Sequence, residues 1–330
     1  MNNRRKIVLA LGAGALFEPL AGFAQGTSTL GGFPTKPIRL IVVFAPGGSN
    51  DIAARLLAPG LSERLGQSVV VENRVGAGGV VGMDAVAKAA PDGYTLGVGP
   101  SGALTINAIL MSLPFDPLKD FAPISMFCYN PIVMVANPAL GVSNFQDLLA
   151  RSKADGGKPM PFGTSGNGTA MHLAGELLKQ TTGLPLEHVA YKGSAPAVND
   201  ILGGQIPLGL LDLATTKPMI AAGRLKAIGV TSAARSRTAP EIPTLAETGV
   251  PGYDVKSWFG ILARAGTPPG AVRRLNEAIV AELGVAAIRD KMLAAGLDPA
   301  PGTPREFEDT LRGELTRWAT VIKTAGIKLQ

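Results

Sequence analysis

The chain has 330 residues, 46% of them hydrophobic and 17% charged, with 42 glycines and 26 prolines. That composition can bury a substantial core and excludes a disordered or fibrous chain, and at about 100 to 200 residues per domain the length suits two domains. A single cysteine, Cys128, excludes an intrachain disulfide, and two histidines, His172 and His188, are too few for a Cys/His zinc site.

At the start of the chain, Arg4, Arg5 and Lys6 precede an apolar run from Ile7 to Phe17. The run is far shorter than the roughly 20 residues that cross a bilayer, and the small residues Gly22 and Ala24 suit a peptidase cutting after Ala24. Residues 1–24 therefore read as a secretory signal peptide, with no cysteine nearby to carry a lipid. The flanks fit the general export route better than the twin-arginine one. Removing this segment takes away three basic groups and Glu18, so the formal charge falls from +6 to +4. No basic run interleaves with aromatics, so nucleic acid is not an expected partner. The residual positive field is compatible with a small anion or simply with solubility.

In the mature chain, Ile38 to Phe44 is almost continuously apolar and stops at Ala45-Pro46-Gly47-Gly48, before a helical spacing at Ile52, Leu56, Leu61 and Leu65. The pattern recurs. Val69 to Val71 leads into Gly76-Ala77-Gly78-Gly79 and a helix through Ala90, and Tyr94 to Val98 leads into Pro100-Ser101-Gly102. A second series follows Pro138: a helix at Phe145 to Ser152, a strand at Met160 to Phe162, the loop Gly163 to Gly168, and a helix from Thr169 to Thr181. Strand Glu187 to Tyr191, helix Ala195 to Leu202, strand Pro207 to Leu211 and strand Leu225 to Thr231 continue it. Repeated strand-loop-helix units predict two α/β lobes with mainly parallel sheets flanked by helices. Crossings near Ile132 to Val135 and Ser257 to Ile261 predict a two-strand hinge, with lobe one formed by 33–133 plus 257–330 and lobe two by 134–256. Pro59-Gly60 should kink or end the first helix. Phe307, Leu311, Leu315, Trp318 and Ile322 share one face of a C-terminal helix, which is expected to pack on lobe one.

Ligands of open α/β sheets collect beyond the carboxyl ends of the strands, where helix N-termini present unpaired N–H groups. Gly47, Gly48 and Ser49 form one such turn, which is either a binding loop or a plain cap. Thr164, Ser165, Gly166, Gly168 and Thr169 form a second, with hydroxyls added. Charge-assisted hydrogen bonds of about 1.5 to 3 kcal/mol each and helix termini of about 0.3 to 1 would bring three or four contacts near the roughly 8 kcal/mol of a micromolar complex. The Gly76 to Gly82 run has the spacing GxGxxxG and lacks a following ribose-binding acid, so it suits a loop closing the cleft better than a dinucleotide site. No Gly-Lys-Ser/Thr triplet makes a phosphate loop. Around Ser165 the GxSxG elbow is broken at Asn167, and His172 fits a packed or capping residue better than a base. Asp212 and Lys192 stand at strand ends, either as ligand contacts or as a cap and a solvated lysine respectively.

Three blocks carry a resemblance: Lys36-Pro37-Ile38-Arg39-Leu40-Ile41-Val42-Val43-Phe44-Ala45-Pro46-Gly47-Gly48-Ser49-Asn50-Asp51, then Val71-Glu72-Asn73-Arg74 with Gly76 to Gly79, then Asp92-Gly93-Tyr94-Thr95-Leu96. Asn107, Leu113-Pro114-Phe115-Asp116-Pro117, His172-Leu173-Ala174-Gly175-Glu176, Tyr191-Lys192-Gly193 and Ile242-Pro243-Thr244-Leu245 extend it over nearly the whole mature chain. The sequence resembles the Bug family of solute receptors, the extracytoplasmic components of tripartite tricarboxylate transporters. The resemblance implies a type II periplasmic binding protein, a Venus flytrap, that closes over a small organic carboxylate or a related organic solute. It also implies contacts from the Pro46 to Ser49 and Thr164 to Thr169 loops, with Asp212 as pocket selector. Asp212-Leu213-Ala214 departs from the family's usual Asn after Asp. The expected ligand-binding set is Phe44, Ala45, Pro46, Gly47, Gly48, Ser49, Gly76, Ala77, Gly78, Ser101, Thr164, Ser165, Gly166, Gly168, Thr169, Lys192 and Asp212. The expected protein is periplasmic, monomeric and non-enzymatic, without cofactor or metal, and its partners are the anion and membrane permease subunits. An orphan sensor subunit and an exported esterase using Ser165 and His172 are the alternatives.

Overall fold

A computed structural model describes residues 32–327, so the signal segment expected at 1–24 lies outside the described residues. The elements run β1 (Ile38–Val42), α1 (Ser49–Leu65), β2 (Val69–Asn73), α2 (Val80–Ala87), β3 (Thr95–Pro100), α3 (Asn107–Leu110) and β4 (Phe121–Tyr129). There follow β5 (Ile132–Ala136), α4 (Phe145–Ala154), β6 (Met160–Thr164), α5 (Ala170–Thr182), β7 (Leu186–Ala190), α6 (Ser194–Leu202), β8 (Leu208–Asp212), α7 (Leu213–Ala221) and β9 (Lys226–Val230). The chain then returns through β10 (Trp258–Arg264), α8 (Pro269–Leu283), α9 (Ala286–Ala294), β11 (Asp298–Pro299) and α10 (Pro304–Ala325).

β1 is apolar on both faces because both are covered. Leu40 and Val42 pack with Ala53, Leu57 and Leu61 of α1, while Ile41 packs on the other side with Met83 and Val86 of α2. The first sheet has six strands in the order β11-β4-β10-β3-β1-β2, and the second has five in the order β7-β6-β8-β5-β9. β1 runs parallel to β2 and β3, and β6 to β7 and β8. In contrast, β10 is antiparallel to β3 and β4, and β5 is antiparallel to β8 and β9. Both sheets are therefore mixed, not mainly parallel as the sequence predicted. β5 and β10 each enter their sheet from the other one, without the helical crossover that enforces parallel pairing. The first passage between sheets is Asn130-Pro131, and the Asn130 N–H donates to the Ser257 carbonyl of the return passage at 2.8 Å.

Two further expectations are corrected. α1 is unbroken through Pro59. Only the hydrogen bond to the Arg55 carbonyl is forgone there, and the neighbouring Gly60 leaves the space that the Glu282 carboxylate of α8 occupies, where Arg64 Nε donates to it at 2.7 Å. The C-terminal helix packs on both lobes. Its start is fixed by a capping box between Thr303 and Glu306, Phe307 and Leu311 enter the first lobe's core with Trp258 and Leu262, and Trp318 and Ile322 enter the second lobe's core with Tyr253 and Val255. At 1.5 Å per residue its 22 residues span about 33 Å, long enough to reach both. No helix among the described residues is long and apolar enough to cross a membrane.

Candidate functional site

The turn after β1 is held by the first polar residues of α1. Asn50, fully buried, accepts from the Val43 N–H at 3.3 Å and donates to the Val98 carbonyl at 3.4 Å. Asp51 accepts from the Gly47 N–H and from Asn73 Nδ2, both at 3.0 Å, and pairs with Arg55. Burial pushes the Asp51 carboxyl up, but Arg55, the Gly47 N–H and Asn73 outweigh it and hold it below the usual carboxylate range. Asn73 also donates to the Phe44 carbonyl at 2.9 Å. Gly47 takes a φ of +78°, the left-handed conformation that lets the strand fold back into the helix.

The turn after β6 is tied just as closely. Thr164 Oγ1 accepts from the Gly166 N–H at 3.1 Å and lies 2.7 Å from His188 Nε2. Thr169 caps α5 by accepting from the His172 N–H at 3.3 Å and donates to the Gly166 carbonyl at 2.8 Å. The Gly168 N–H donates to His172 Nδ1 at 3.1 Å, and the His172 and His188 rings stack with centroids 3.8 Å apart. Burial lowers His172 to about 4, with Lys179 adding to the effect, and burial followed by the neighbouring His172 lowers His188 to about 3. Both rings are neutral at neutral pH, which leaves Nδ1 of His172 free to accept. Ser165 Oγ donates to Met171 Sδ at 2.8 Å, so the Ser165–His172 pairing that an esterase needs is not formed.

The two turns meet. The Ala45 N–H donates to the Lys192 carbonyl at 3.2 Å, Gly78 lies against the Asn167 carbonyl, and Gly102 lies against the backbone of Gly168, Thr169 and Ala170. Behind this seam Asp212, 3% exposed, accepts from Asn130 Nδ2 and Ser194 Oγ, and Asn130 Nδ2 also donates to Ser49 Oγ at 3.2 Å. Burial raises the Asp212 pKa, against the lowering effect of its hydrogen bonds from Ser194, Asn130 and Ser49. Ser49 of the first lobe, Asn130 of the hinge, and Asp212 and Ser194 of the second lobe thus form one buried network.

A cavity of 10 Å³, the room of about one water molecule, lies between the turns. Of the residues predicted to bind, Phe44, Gly78, Ser165, Thr169 and Asp212 line it. Ser49 is joined to it through Asn130 and Asp212, and Ser101 lies behind Ser257, with Oγ atoms 3.4 Å apart. Pro46, Gly47, Ala77 and Lys192 are exposed at the rim, and Thr164 is turned to His188. The N–H groups of Ala45, Gly47, Gly48, Gly166 and Gly168 are already donated within the protein. The amides left to a ligand are those in the first turns of α1 and α5, which have no intrahelical acceptor. Asn130, Ser194, Ser257, Met171 and Phe259 are additional. Of these, Asn130 and Ser194 carried a readable signal: a polar residue between two apolar strands, and a serine opening a helix after glycine. A larger groove of 710 Å³, lined by Pro138, Val142, Lys226 and Pro243, lies along β9 and shares no residue with either turn. Among the described residues no cluster of three or more His, Cys, Asp or Glu could hold a metal ion.

A family model described as the tripartite tricarboxylate transporter family receptor matches residues 53–327. The chain is 38% identical to protein BugT of Bordetella pertussis over 330 residues, covering 99% of this chain and 100% of that one. Among solved structures it is similar to the periplasmic binding protein BugD, with 33% identity and a TM-score of 0.85 over 90% of this chain and 100% of that one. A Rhodopseudomonas palustris protein solved with adipate gives 36% identity and a TM-score of 0.86, over 90% and 99% of the two chains. MatC from the same species, with bound malate, gives 28% and 0.83 over 88% and 100%. The two-lobe architecture expected from the sequence is the one these structures share.

Proposed function

Since the chain belongs to the tripartite tricarboxylate transporter receptor family, we propose that it is a periplasmic receptor, exported by residues 1–24, that traps a small organic carboxylate between its lobes. The lobes, 33–133 with 257–330 and 134–256, part about the paired passages at Asn130 and Ser257, admit the anion and shut on it. A monomer then offers its shut surface to membrane permease subunits, and no bond in the ligand is made or broken.

The observation that carries this reading is a single buried polar network that joins Ser49 of one lobe, Asn130 of the passage between them and Ser194 and Asp212 of the other, with the first turn of α5 beside Asp212. The free first-turn amides of α5, at Ala170 and Met171 on the cavity wall, carry the positive end of a 13-residue helix and suit a carboxylate. Asp212, on the same wall, turns a carboxylate away from its own position and accepts from a hydroxyl or amino group, so one carboxylate of the ligand lies against α5 and the other points away from Asp212. Adipate and malate, held by two of the relatives, are small dicarboxylates, and the ligand proposed here is of that class.

The test is a thermal-shift panel of mono- and dicarboxylates, amino acids and aromatic acids, followed by calorimetry. A true ligand at 100 times its Kd adds about 2.7 kcal/mol of stability. Gly48→Leu, which puts a side chain at the start of α1, abolishes the shift. A panel in which no carboxylate raises the melting temperature refutes the proposal, and an undiminished shift in Gly48→Leu moves the site elsewhere.

A further inference from the structure

Asn107 opens α3 in the first lobe and is fully buried. Neither its Oδ1 nor its Nδ2 finds a hydrogen-bond partner among the described residues. The carboxamide oxygen abuts Gly168 of the second lobe: a Cβ on that glycine would fall on Oδ1 and stand 3.0 Å from Nδ2. Gly78, in its own lobe, closes the other side, where a Cβ would stand 3.3 Å from Nδ2. The slot exists because both positions are glycine, each in the left-handed region at φ +68° and +61°.

A carboxamide stripped of water and given no partner loses its hydration without compensation. The penalty belongs to the shut arrangement. When the second lobe swings away, Gly168 leaves the amide oxygen and water reaches it, whereas Gly78 stays. We infer that Asn107 opposes closure: its stranded amide holds the ligand-free receptor open, and only a ligand that bridges the lobes offsets it. This rests on the capture of a ligand between two lobes proposed above and adds what sets the balance between the open and shut forms. Asn107 is a positioning residue here, acting on the lobes and not on the ligand, since it does not line the cavity.

Asn107→Leu keeps the branched shape and removes the polar atoms, Asn107→Ala removes the branch as well, and Asn107→Asp replaces the stranded amide with a charge. Small-angle scattering of the ligand-free proteins, with thermal melts as a check on folding, gives a smaller radius of gyration for the Leu and Ala variants than for wild type. Calorimetry with malate and adipate gives affinities about tenfold tighter for the Leu and Ala variants, the equivalent of about 1.4 kcal/mol, and weaker ones for Asp. If Leu and Ala both bind more weakly than wild type, or leave the radius of gyration unchanged, the inference is overturned. Should wild type bind neither acid, the reading of these ligands fails, and the scattering arm still decides the role of Asn107.

Discussion

Gly102→Ala separates closure from folding. Gly102 sits in helical backbone at the end of β3, so an alanine there adds no conformational strain and, by helix propensity, stabilises the first lobe by up to about 1 kcal/mol. The three atoms nearest its new Cβ all belong to the opposite lobe: Thr169 Cα at 2.8 Å, the Gly168 carbonyl oxygen at 2.9 Å and the Ala170 nitrogen at 3.0 Å. Three backbone atoms cannot swing aside like a side chain, so the seam must open by about half an ångström to restore ordinary contact distances, and overpacking of this kind costs about 1 to 3 kcal/mol. The propensity gain is present in both open and shut forms and cancels from binding, whereas the clash appears only on closing. Carboxylate affinity measured by calorimetry therefore falls about 5- to 150-fold, to a similar degree for short and long acids, while the ligand-free melting temperature holds or rises. Gly313→Ala, on a helix with open space around it, is the control that shares the propensity gain and leaves affinity alone. An unchanged or tighter affinity in Gly102→Ala would refute the closing seam.

His172 makes stability depend on pH. Its folded pKa of about 4 lies below the 6.5 of the unfolded chain, so the unfolded state takes the proton first; stability is complete above pH 6.5 and declines as pH falls toward 4, by about 3 kcal/mol in all. Urea titrations from pH 7 to 4.5 show the decline in wild type and a shallower one in His172→Gln, and parallel curves would discount the histidine. Gly60→Ala reverses the usual sign of a helical glycine replacement: instead of a gain of about 1 kcal/mol it costs about 1 to 3, because the Cβ displaces the buried Glu282 carboxylate from Arg64, and a stabilised variant would count against that packing. Trp318→Ala removes a ring that is 1% exposed and lowers the unfolding free energy by about 3 to 5 kcal/mol in urea melts, with Trp318→Phe recovering most of it; a loss under about 1 kcal/mol would place α10 outside the second core.

Signals of short range survived the passage from sequence to structure. The apolar run of β1, the glycine turns and the three- and four-residue spacing on α10 are properties of neighbouring residues, and each element stands where its period put it. Strand direction did not follow from the same evidence, because β5 and β10 are oriented by partners across the sheet boundary. The site divides in the same way. Ser165, Thr169 and Asp212 were legible from their places at strand ends, whereas Asn130, 82 positions from Asp212, joins it only through the fold. Glycine-rich turns promised free amides, yet most of theirs are consumed by Asp51, Thr164 and His172, side chains whose direction no pattern encodes. Lys192 occupies a strand end as expected, but its side chain is exposed and only its carbonyl reaches the other turn.

The place of β10 between β3 and β4 bears on how the polypeptide assembles. During synthesis β1 to β4 emerge first, but their sheet lacks a middle strand until residue 264 has been made. The second sheet draws all its strands from one uninterrupted stretch, 132–230, and is the first that can zip up, reversing the habit of domains folding from the N-terminus. A nascent chain halted before Trp258 therefore carries one nearly finished half and one that gapes, with the flanks of β3 and β4 bare to any strand that finds them. The stretch from β1 to β4, residues 38–129, therefore stays pliable until β10 has been made.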